Sequence, residues 1–121
     1  MLLDYGNTVA IPTWQLDEKL PTGYSRVYYV NEADIMYSDS QTTCAFRTDT
    51  LYALPSSIPY RAWRLSDKDF RCTYLHIDFF PHAVSGLIEM PVPKDSALES
   101  LLTCAVRAID ESNHELVSSL A

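Results

Sequence analysis

From Thr8 to Phe80 the chain never sustains a helical period. Short runs of β-branched and aromatic residues are broken every few positions by Pro, Gly, Asn, Asp or Ser. Such runs cannot build an apolar stripe at a 3.6-residue repeat, but they can bury alternate side chains as strands, which restricts this region to an antiparallel all-β unit. The expected strands are Thr8 to Ile11, Thr13 to Leu16, Tyr24 to Asn31, Asp34 to Tyr37, Thr42 to Arg47, Leu51 to Ala53, Tyr60 to Arg64 and Phe70 to Phe79. Strands of that number and spacing point to a sandwich or a barrel.

After Pro91 and Pro93 the period changes. Ser96 and Glu99 form an S-x-x-E capping box, and Leu98, Leu102, Ala105 and Ile109 recur at helical spacing, which predicts a helix from about Ala97 to Asp110. A second box, Ser112 with Glu115, opens a further apolar face at Leu116, Val117 and Leu120. The last residue, Ala121, falls within that face without a C-cap signal, so more chain is expected to follow it. Pro81 to Pro93 is expected to be a connector between the β unit and the helices.

A chain of 121 residues has the size of one domain, and 47% hydrophobic and 21% charged residues suit a folded one. Sixteen acidic residues against nine Lys and Arg give a formal charge of -7, which repels a phosphate backbone and argues against DNA binding by this segment itself. Cys44, Cys72 and Cys104 are widely spaced, without a C-x-x-C pair, and favour a reducing, cytoplasmic location. No apolar run reaches the roughly eighteen residues needed to span a bilayer, so no membrane association is expected.

Three blocks carry a resemblance to a known family. Phe46 to Tyr60, with its turn Arg47-Thr48-Asp49 and its ending Pro55-Ser-Ser-Ile-Pro-Tyr60, resembles the second cupin motif. Tyr28-Tyr-Val-Asn-Glu-Ala-Asp34 resembles the strand and turn that close the first, and Tyr74-Leu-His-Ile-Asp-Phe79 resembles the strand that follows in AraC-type sensing domains. In order and spacing the chain is similar to the N-terminal effector-binding and dimerisation domain of AraC-family transcription regulators. The resemblance implies a mainly β fold, a cupin-like jelly-roll β-barrel followed by C-terminal α-helices. Residues 1–93 would form the sensing barrel with its connector, and residues 94–121 the helical dimerisation segment of the same domain. The helix-turn-helix DNA-binding domain of such regulators is missing from this chain.

Metal-binding cupins use His and Glu ligands, and carrying their pattern over puts Leu20, Thr22, Arg26 and Tyr60 at the ligand positions. None is a plausible ligand at neutral pH, so no metal and no cofactor is expected. His76, Asp78 and His82 superficially match a two-His-one-carboxylate triad, but all three sit close together in sequence. Strand alternation then offers a ligand site. With Arg26 facing inward, Tyr24, Tyr28 and Val30 share its side, and Tyr74, His76 and Asp78 share a face opposite Leu75, Ile77 and Phe79. The alternatives are that this polar face meets solvent, or that Arg26 pairs with Asp78 without any ligand. Trp14 belongs with the mouth of the barrel by family resemblance. The expected effector-binding residues are therefore Trp14, Arg26, Tyr28, Tyr60, His76 and Asp78.

On the helix, Leu98, Leu101, Leu102, Ala105 and Ile109 form a stripe wide enough to pack on the barrel and leave a seam for a homodimer. The expected function is sensing of a small effector, a sugar or related metabolite, that controls an attached DNA-binding domain, with no catalytic residue. Two rivals remain: a barrel filled by Tyr24, Tyr28 and Tyr60 that serves only assembly, and a cupin enzyme.

Overall fold

A computed structural model gives the fold and describes residues 1–111. The second capping box, Ser112 with Glu115, and the apolar Leu116, Val117 and Leu120 lie outside the described residues. Among the described residues nine strands precede one helix: β1 (Leu2–Val9), β2 (Gln15–Glu18), β3 (Ser25–Glu32), β4 (Ile35–Asp39), β5 (Thr43–Ala45), β6 (Thr50–Ala53), β7 (Tyr60–Arg64), β8 (Arg71–Ile77), β9 (Ile88–Pro91) and α1 (Ala97–Asp110). They form two antiparallel sheets with no strand in common, a five-stranded one in the order β1-β8-β3-β6-β9 and a four-stranded one in the order β2-β7-β4-β5. The pairing is nested: β1 with β8, β2 with β7, β3 with β6, and β4 with β5.

The core lies between the sheets, because strand alternation sends every second side chain there. Tyr28 and Val30 of β3, Tyr52 of β6 and Cys72 of β8 meet Ile35 and Tyr37 of β4 and Tyr60 and Ala62 of β7, with Phe46 and Phe70 from flanking loops. Aromatic rings dominate. Phe46 stacks on Tyr52 at 4.4 Å between centroids, and Tyr37 on Tyr60 at 5.8 Å. The odd-numbered residues of β8 face the other way, where Leu75 packs with Leu2, Tyr5 and the helical Ala108 and Ile109. At β8 the five-stranded sheet is thus flanked by the second sheet on one side and by α1 on the other.

The helix begins where the capping box places it, with Ser96 Oγ accepting from the Glu99 N–H at 3.1 Å. The Arg47-Thr48-Asp49 turn closes with Asp49 at φ 53°, a left-handed conformation that Asp tolerates better than most residues. Its N–H donates to the Val30 carbonyl at 2.8 Å.

Four expectations are corrected. The first strand is Leu2–Val9 and not Thr8 to Ile11, since Asp4, Gly6 and Asn7 read as turn residues but lie in register with β8. β2 runs to Glu18 and does not stop at Leu16. The connector Pro81 to Pro93 contains β9, which pairs with β6 at the sheet edge, where prolines are tolerated because one row of backbone N–H groups needs no partner. β8 ends at Ile77, so Asp78 and Phe79 leave the strand expected through Phe79.

Candidate functional site

The sheets part along the edge formed by β1 and β2, and a cavity of ≈ 390 Å³ opens there against the inner face of β1, β8 and β3. Its walls include Asp4 and Thr8 of β1, Trp14 and Leu16 at the start of β2, Arg26 and Tyr28 of β3, Phe70, and Cys72, Tyr74 and His76 of β8. The two-residue period accounts for the set, because Arg26 and Tyr28 on one strand and Cys72, Tyr74 and His76 on its neighbour point the same way.

Gly6 also contributes, by lacking a side chain. It sits opposite Tyr74, and a Cβ there would lie 2.9 Å from Cε1 of the Tyr74 ring. The ring therefore lies across β1. Tyr74 in turn packs on His76 at 5.1 Å between centroids, and Tyr24 packs on the same imidazole at 5.4 Å.

Arg26 enters this wall with its charge compensated. Nη2 ion-pairs with Glu18 Oε1 at 3.0 Å, Nη1 donates to the Tyr60 hydroxyl, and the guanidinium lies 5.3 Å from the Tyr24 ring centroid. Burial pushes the Tyr60 phenol above its ordinary value, only partly offset by Arg26, so it is a neutral acceptor at physiological pH. Burial and the neighbouring Arg26 hold the His76 imidazole below its ordinary value, against an opposing pull from Asp4. Burial also pushes the Cys72 thiol up to about 12, which leaves it unreactive as a nucleophile at neutral pH.

Four of the six expected effector residues, Trp14, Arg26, Tyr28 and His76, line one cavity. Tyr60 is not on its wall but touches Arg26 from behind, 2% exposed. Asp78 is elsewhere. Its carboxylate accepts from the Phe80 N–H at 2.9 Å and its own N–H donates to the Met1 carbonyl, because the strand that would have aimed it inward has ended. The partner of Arg26 is accordingly Glu18 and not Asp78. The polar face of β8 turns into the cavity at Tyr74 and His76, while Leu75 on the opposite face packs with α1.

The residues that sequence reasoning missed are Glu18, Asp4 and Gly6, while Tyr74 is placed on the cavity face by alternation but left out of the expected set. Glu18 shares its face of β2 with Leu16, so extending that strand by two residues would have found it. Asp4 belongs to a strand not anticipated. Of the positions equivalent to cupin metal ligands, Leu20 is 77% exposed and Thr22 donates to the Tyr24 carbonyl, while Arg26 and Tyr60 bond each other. Among the described residues no three His, Cys, Asp or Glu side chains are grouped to hold a cation.

On the helix, Ala105, Ala108 and Ile109 are buried and Leu101 is 46% exposed, with Leu98 and Leu102 between these extremes. Ala105 and Ile109 are thus removed from the expected dimer seam, Ile109 being sealed against Leu2, Tyr5 and Leu75. A wider depression of ≈ 730 Å³, lined by Gln41, Thr42, Cys44, Ala45, Arg47, Leu87 and Glu89, offers no aromatic face. No helix among the described residues is long and apolar enough to cross a membrane. Comparison with protein-family models and with curated protein sequences gives no match for this chain.

Proposed function

We propose that this chain is the effector-sensing and dimerising half of an AraC-type transcription regulator, a cupin-like jelly roll without catalytic or metal chemistry. The supporting topology is the nested strand pairing, in which β1-β8-β3-β6 faces β2-β7-β4-β5 and each half of the chain folds back on the other. The observation that carries the sensing function is the ≈ 390 Å³ cavity. It combines flat aromatic walls at Trp14, Tyr28 and Tyr74 with polar groups at Asp4, Arg26 and His76, the composition that orients a small hydroxylated molecule. Occupancy would brace the β1 and β2 edges against each other and so bias the arrangement of α1, which rests on β1. The exposed parts of Leu98, Leu101 and Leu102 are the seam left for a second copy, and DNA contact belongs to an attached domain that brings its own positive charge. Three cysteines without a disulfide among them suit a cytoplasmic setting.

One observation favours a second reading. Tyr37, Tyr52, Tyr60 and Phe70 are each 2% exposed or less and fill the centre between the sheets, as they would in a module made only for assembly. Thermal-shift titration with neutral sugars, with iron and zinc as controls, separates the two. A sensor gains about 2.7 kcal/mol at a hundredfold excess of ligand over Kd, several degrees in Tm. Stabilisation by metal alone would overturn the sensing function, and indifference to all of them would favour the assembly module.

A further inference from the structure

The charge on the cavity wall narrows what it can hold. Among the described residues Arg26 is the one permanent cation on that wall, and both of its terminal nitrogens are engaged, Nη2 by Glu18 and Nη1 by the Tyr60 hydroxyl. A carboxylate or phosphate arriving at Arg26 would meet a charge already compensated by Glu18, so its attraction is weakened even though other N–H groups of the guanidinium remain. His76 supplies no second cation, because its surroundings favour the neutral ring.

Asp4 is different. It stands cross-strand from His76, accepts from the Tyr5 N–H at 2.8 Å, and enters no ion pair among the described residues. A carboxylate has about four acceptor sites, so it retains capacity for a ligand. With Arg26 and Glu18 cancelling, Asp4 leaves this wall net negative. Tyr74 and Trp14 line the same cavity, and aromatic rings attract cations through their quadrupoles.

We propose that the effector carries a protonated amine and no acidic group, with the ammonium held by Asp4 and the body of the molecule against Tyr74 and Trp14. This assignment rests on the cavity being the effector site.

Calorimetric titration of the 121-residue chain with glucosamine, glucose and glucuronate presents three charge states of one ring. At low ionic strength glucosamine should bind about tenfold more tightly than glucose, and glucuronate most weakly. Asp4→Asn should erase the amine advantage, whereas Asp67→Asn, at an exposed loop carboxylate, should leave it intact. In the unaltered chain, raising the salt from about 0.01 M to about 1 M should shrink the same advantage, a readout independent of any variant's folding. Equal binding of glucuronate and glucosamine, or an amine preference that survives Asp4→Asn, would overturn the amine assignment and leave the effector site standing. Failure of all three ligands at millimolar concentration would remove the effector site itself and the assignment with it.

Discussion

Arg26 is held at the boundary between core and cavity by two partners from the opposite sheet, Glu18 on β2 and Tyr60 on β7. Its side chain is only 12% exposed, so the ion pair acts in a partly desolvated setting where removing one member strands the other. Glu18→Gln should destabilise the fold by about 1–2 kcal/mol, seen as a lower urea midpoint with an unchanged m-value. His76 sets a pH dependence. Burial and Arg26 lower its folded-state affinity for a proton, while Asp4 opposes them, and the unfolded chain takes up the proton near the ordinary imidazole value of about 6.5. Below that pH the unfolded state binds more protons than the folded state, so stability declines as pH falls until the folded-state value is passed. The drop in urea midpoint between about pH 7.5 and about pH 5.5 should therefore be smaller in His76→Gln than in the unaltered chain. An equal drop in both would show that the imidazole is not held neutral by its surroundings.

At the scale of elements, β3 and β8 show why simple alternation was only a partial guide. β8 carries polar and aromatic residues towards the cavity and Leu75 towards α1, so neither of its faces is a solvent face. A strand covered on both sides loses the inside-outside contrast on which pattern reading depends. The helix holds on through small residues, with Ala108 1% exposed beneath it. Ala108→Asp would bury a charge without a partner, which costs more than docking a single 14-residue helix returns. The helix should leave the sheet, and an isolated helix of that length is marginal in water. Far-UV circular dichroism should then lose its helical component while the β signal and the slow exchange of core amides persist. Retention of the helical signal would mean that α1 is stabilised by something other than this contact.

At the scale of the whole molecule, the nested pairing places the most distant segments side by side, β1 with β8 and the outer face of both under α1. The consequence for assembly is specific. Since Ala105 and Ile109 are buried within one chain, the proposed dimer would use the part of α1 centred on Leu101. Light scattering should find a dimer at micromolar concentration, and Leu101→Asp should shift it to monomer with little change in the stability of the sandwich. A dimer indifferent to Leu101→Asp would place the interface off the helix.

By itself the sequence determined the class of fold, the position of most strands, the helix Ala97 to Asp110 with its Ser96 cap, and the shared inward face of Arg26, Tyr28 and His76. Each follows from local periodicity or from hydrogen bonds within a few residues, which a linear chain displays directly. Tertiary structure alone decided the rest. That Asp4 and Gly6 belong to a strand depends on β8, about seventy residues away in a register set by antiparallel pairing. That Arg26 meets Glu18 and not Asp78 depends on where β2 and β8 end, and strand ends are set by what the neighbouring strand can still pair with. The candidate cavity is legible only in part for the same reason: its β3 and β8 wall is written in alternation, whereas the charge balance on that wall arises between residues the chain keeps far apart.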